Sequence, residues 1–85
     1  MSVRIETTSE DSKTIVSVAG RLTSSATREF LRACRAIEGE FEVDLTSLRS
    51  ADSEGIEAIR NLVRGGRELR GVSPFIRLLL DEGSP

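Results

Sequence analysis

The sequence predicts an α/β fold, a single-domain mixed β-sheet of about four strands with helices packed against it, in the order β-β-α-β-α-β-α. Three observations lead there. Two apolar strand-like runs open the chain, "VRIET" and "TIVSVAG", separated only by the polar stretch "TSEDSK". After them, strand-like and helix-like periodicities alternate, which calls for parallel crossovers covered by helices. Finally, 85 residues with 38% apolar and 31% charged residues suit one small globular core, so residues 1–85 are read as one domain.

Each element has its own signature. Val3, Ile5 and Thr7 alternate in the first strand, and a strand, short polar loop and second strand make an antiparallel pair. The second strand stops at Gly20. In "RLTSSATREFLRACRAIEG", Ala26, Phe30, Ala33 or Cys34, and Ile37 recur at helical spacing while Arg28, Arg32 and Arg35 point elsewhere. Ser24 or Ser25 can cap this helix, and Gly39 suits a left-handed exit. "FEVDL" puts Phe41, Val43 and Leu45 on one face and Glu42 and Asp44 on the other, the pattern of a sheet covered on one side and wet on the other. A second helix starts near Ser53, buries Ile56, Ile59, Leu62 and Val63, and ends at Gly65-Gly66. "RELRGV" is a short strand carried by Leu69 and Val72. The last helix has Ser73 at its N-cap, Pro74 at its first position and Gly83 at its exit. "SEDSK" and the final "GSP" are the expected mobile parts.

Composition excludes several functions. The chain has no histidine, which removes the commonest general base, the commonest metal ligand and every Ser-His or Cys-His nucleophile. Asp44 ends a strand and Asp52 begins a helix, with no water-excluding pocket implied between them, so no catalytic residues are assigned and an enzyme is not expected. The single cysteine, Cys34, sits in an apolar helical pattern and reads as a core residue; no disulfide, metal site or cofactor is expected. A net charge of -2 and the absence of Trp and Tyr argue against nucleic acid. No stretch has the apolar length of a membrane span or a signal peptide, so the expected location is the cytoplasm. Arg60, Arg64, Arg67 and Arg70 could line a solvent face near the second helix, or form a landing strip for an acidic partner.

The most pointed local arrangement is Asp52-Ser53-Glu54-Gly55, where a serine stands between two carboxylates at the positive end of a helix. By local physics either Asp52 or Ser53 caps the helix, and Glu54 and Glu57 favour its first turn. Capping leaves Gly55 unexplained. A glycine inside the first turn costs about 0.8–1 kcal/mol relative to alanine. With the small Ala51 it makes a corner low in relief, suited to close approach by a partner.

At this point "VDLTSLRSADSEGIEAI" resembles the signature of STAS domains, the anti-sigma-factor antagonists of bacteria. That pattern is a strand ending Asp-Leu-Ser/Thr, a short loop, then Asp-Ser-Ser/Thr-Gly and an apolar helix. "VSVAGRLTSSATREFLRAC" is similar to the family's G-x-L segment and first helix, and "LRGVSPFIRLLLDEG" to its L-x-G-x-S-P ending. The resemblance implies a STAS-like fold and a partner switch in which Ser53 is the phosphoacceptor and Asp52, Glu54 and Gly55 form the partner-binding loop. The implied partner is an anti-sigma factor with serine kinase activity, reset by a serine phosphatase. Glu54 stands where the family usually has serine or threonine. Other family members serve as adaptors or scaffolds in transporters and stress-sensing assemblies, and this is the alternative role.

Overall fold

The computed structural model describes residues 3–81. Its elements are β1 (Val3–Glu10), β2 (Lys13–Leu22), α1 (Ser24–Arg35), β3 (Phe41–Asp44), β4 (Leu48–Ala51), α2 (Ser53–Arg64), β5 (Glu68–Arg70) and α3 (Pro74–Asp81). The fold is mixed α/β, with one sheet ordered β1-β2-β3-β5 and β4 attached to β2. β1 and β2 are antiparallel, and the pairs β2–β3, β2–β4 and β3–β5 are parallel.

The sheet differs from the sequence reading at two places, and β5 ends at Arg70, short of Val72. The opening hairpin is longer than "VRIET" implies. Asp11 and Ser12 alone form the turn, both with positive φ (49° and 69°), so "SEDSK" is mostly strand. That two-residue geometry matches the twist of the flanking strands. The second difference is β4, read from the sequence as loop. β2 does not stop at Gly20 but runs to Leu22; it pairs with β3 through Thr14–Ser17 and with β4 from Gly20 onward. The register shifts by one residue between Gly20 and Arg21, opposite Arg49. Gly20 has φ 93°, a conformation glycine adopts without steric cost, and its N–H donates to the Ser47 carbonyl at 3.0 Å.

The core lies between the helices and one sheet face. Val16, Val18 and Leu22 of β2 and Phe41 and Val43 of β3, with Leu45 just beyond β3, share one cluster with Phe30 and Cys34 of α1, Ile56 and Ile59 of α2, and Ile76 and Leu80 of α3. Glu42 and Asp44 point to the opposite, polar face, as their alternation requires. There Glu42 pairs with Lys13 at 2.8 Å and with Arg70 at 3.6 Å.

Helix ends and faces show where local reading is weakest. Ser73 caps α3 as expected, its hydroxyl accepting from Ile76 N–H at 3.2 Å. Gly83 and "GSP" lie outside the described residues. α2 buries Ile56 and Ile59 and half-buries Leu62, but Val63 is exposed, one position past the edge of the buried stripe. α1 ends at Arg35 with Ala36 as C-cap, and Gly39 takes its left-handed conformation further along the loop.

Candidate functional site at the β4–α2 corner

The corner forms where Ala51 ends β4 and Ser53 begins α2. Backbone pairing sets its position: Asp52 N–H donates to the Leu22 carbonyl at 3.1 Å, tying the corner to the end of β2. Asp52, not Ser53, occupies the N-cap. Its Oδ1 accepts from Gly55 N–H at 2.9 Å, and its carbonyl accepts from Ile56 N–H at 2.9 Å.

The same carboxylate reaches a second helix. Asp52 Oδ2 accepts from the Ser24 N–H at the start of α1, at 3.1 Å. Thr23 holds the N-cap position of α1 but makes no side-chain capping bond, and neither Ser24 nor Ser25 is the cap. A residue 28 positions away supplies the acceptor instead. Two helix N-termini, each a region of partial positive charge, therefore share one acid. No short-range pattern announces such a bond.

Ser53 and Glu54 lie exposed on the first turn of α2. Among the described residues the Ser53 hydroxyl has no hydrogen-bond partner, because Asp52 has taken the capping position. Gly55 is different: it is buried, and a Cβ there would lie 2.5 Å from the Leu22 carbonyl oxygen and 3.2 Å from Ala51 Cβ. Its missing side chain is thus explained by internal packing of α2 on β2. The low relief read from Gly55 and Ala51 lies inside the fold. The exposed part of the motif is Ser53-Glu54.

Beside the corner, a shallow groove runs between α1 and α2. Buried Thr27 and Ala58 and half-buried Leu31 line it together with exposed Arg28, Glu54 and Glu57. Among the described residues Thr27 Oγ1 is buried with no hydrogen-bond partner.

Asp44 makes a local turn rather than a site with Asp52. Its Oδ1 accepts from the Thr46 hydroxyl at 2.6 Å and from Thr46 N–H at 2.9 Å. The Thr46 hydroxyl first, then its N–H and the nearby Arg70, hold the Asp44 carboxyl below the ordinary carboxylate range, against the opposing effect of burial. The arginines do not assemble into one strip. Arg60 is partly buried and donates to the Leu80 and Leu79 carbonyls at 2.9 and 3.1 Å, satisfying the end of α3. Arg67 lies 4.3 Å from the Phe41 ring centre, and Arg70 contacts Glu10 and Glu42 across the sheet.

Among the described residues no group of three His, Cys, Asp or Glu side chains converges to hold a metal ion. Nor is any helix among them long and apolar enough to cross a membrane. The fold and the corner together define a small mixed-sheet α/β module whose sequence motif presents an uncommitted hydroxyl beside a fixed carboxylate. A family model described as "Mlab, STAS domain" matches residues 5–82, and the chain belongs to the STAS domain family. That family is generally non-catalytic and suggests a module for protein–protein interaction. The search of curated proteins found no match.

Proposed function

We propose that this chain is a partner-switching module of the anti-sigma-factor-antagonist type. It binds an anti-sigma factor with serine kinase activity and is released when that kinase phosphorylates Ser53. One observation carries this reading. The Ser53 hydroxyl is exposed and does no capping, since Asp52 does it, so the fold does not require a serine there.

The physics follows from the position. A phosphate adds about −1.5 to −2 charges beside Asp52 and Glu54, which repels a close-packed or acidic partner surface. The α2 N-terminus offsets part of that repulsion within the chain, so binding is lost with little change in fold. Asp52 and Gly55 serve the docking loop from beneath, by fixing the corner so that Ser53 and Glu54 stay at the surface. A serine phosphatase restores the binding form. In this reading residues 1–85 act as one domain in the cytoplasm, without nucleic acid or cofactor.

The test is incubation with an anti-sigma-type serine kinase and ATP, followed by intact mass measurement. One phosphate is expected on the parent chain and none on Ser53→Ala. Ser53→Asp loses the partner, and Ser53→Ala holds it irrespective of ATP. A phosphate that persists in Ser53→Ala overturns the assignment.

A second reading, an adaptor or scaffold subunit without phosphorylation, is favoured by Glu54. Its exposed carboxylate is a permanent negative charge next to the hydroxyl. In that case the chain gains no phosphate, and neither Ser53 substitution alters assembly.

A further inference from the structure

Among the described residues β1 is an edge strand, paired only with β2. The hairpin turn fixes which of its backbone groups remain free. In a two-residue loop the flanking residues, Glu10 and Lys13, close the ladder as a hydrogen-bonded pair. Alternation then directs the N–H and C=O of Thr8, Glu6 and Arg4 toward β2, and those of Val3, Ile5, Thr7 and Ser9 outward. Eight residues without proline or bulge thus present a row of open donors and acceptors, a template for another strand.

The side chains select which strand fits. Arg4 and Glu6 are exposed and share one face, and among the described residues neither has an ion-pair or hydrogen-bond partner for its side chain. An antiparallel second copy set with Ile5 opposite Ile5 places each Arg4 across from a Glu6. These are the non-hydrogen-bonded positions, where Cα atoms stand about 4.5 Å apart and side chains are closest. The half-buried Ile5 side chains meet on the core-facing side, with Val3 opposite Thr7. Other registers that keep the same backbone groups paired are worse. One sets Glu6 against Glu6. Another sets Arg4 against Glu10, which already contacts Arg70 at 3.8 Å, and leaves Ile5 facing Ser9.

We propose that β1 is a homodimerisation edge, at which two copies of this chain join antiparallel about Ile5 and are fixed in register by two reciprocal Arg4–Glu6 pairs. The dimer continues the sheet across a two-fold axis and closes the β1 edge of both copies at once. Phosphorylation of Ser53 is not required for it.

Sedimentation equilibrium of the full chain over a concentration series provides the test. A monomer–dimer equilibrium is expected, weakened by salt because the pairs are exposed. Glu6→Arg turns two attractions into two repulsions and weakens the dimer about tenfold, as does Arg4→Glu. The charge-swapped double variant Arg4→Glu/Glu6→Arg recovers the parent affinity to within about threefold, because the reciprocal pairs are restored with the same residues. A chain that stays monomeric throughout, a dimer indifferent to Glu6→Arg, or a double variant no better than the singles overturns the proposal.

Discussion

The Asp52 carboxylate binds the backbone N–H of Ser24 at 3.1 Å while its other oxygen binds Gly55 N–H at 2.9 Å, so one acid closes the N-termini of both α1 and α2. This double duty predicts a graded response to substitution. Asp52→Ala removes both acceptors and lowers stability by about 2 kcal/mol, the upper end for a single cap. Asp52→Asn retains one oxygen acceptor, but its amide nitrogen cannot accept from the second N–H, and it costs about 1 kcal/mol. Urea denaturation should rank parent above Asn above Ala. An Asn variant as stable as the parent would mean that one of the two bonds contributes nothing.

Gly55 invites a substitution that helix propensity recommends and packing forbids. Alanine gains about 0.8–1 kcal/mol at an ordinary helix position. Here its Cβ would stand 2.5 Å from the Leu22 carbonyl oxygen, a backbone atom that moves only with β2. Overpacking of this kind costs about 1–3 kcal/mol. We expect Gly55→Ala to lower the denaturation midpoint, and a raised midpoint would show that α2 can shift away at no cost.

These two residues mark how much could be read without coordinates. The alternation Phe41/Val43/Leu45 against Glu42/Asp44 gives the covered and wet sheet faces directly, because a period of two is a local property. The N-cap and first turn of α3 are equally legible, since Ser73 and Pro74 act within their own turn. β4 was not, because "LRSA" has no apolar alternation; it becomes a strand only because β2 continues past Gly20 and offers it an edge. The corner was half legible. The sequence marks Asp52 and Ser53 as candidate caps. Which of them caps, why Gly55 lacks a side chain, and what satisfies α1 all depend on contacts with Leu22 and Ser24, remote in sequence.

Cys34 is buried in the core, and burial pushes its thiol up to about 11 from an ordinary 9.0. The unfolded chain therefore gives up this proton first. Stability is full below about pH 9 and declines as pH rises through about 11, because only the unfolded form gains from ionisation. Cys34→Ala should show a smaller decline over that window. Alkylation at neutral pH should label the parent only after denaturant is added; rapid labelling of the native chain would place the thiol at the surface.

The Asp44–Thr46 turn carries a pH dependence of the opposite sign. The Thr46 hydroxyl, 2.6 Å from Asp44 Oδ1, is the main reason the folded carboxyl titrates below its ordinary value of 3.8. The native state therefore binds this proton less readily than the unfolded chain. The stabilisation is present above the ordinary carboxylate range and is lost as pH falls through the depressed folded value. Thr46→Val removes the hydroxyl but keeps the backbone N–H. The Asp44 carboxyl should move back toward 3.8 in an NMR titration, and stability at neutral pH should drop by about 1 kcal/mol. Parent and variant should converge once acid has protonated Asp44 in both. A gap that persists unchanged into acid would assign the loss to packing of the Thr46 side chain rather than to the charge it stabilises.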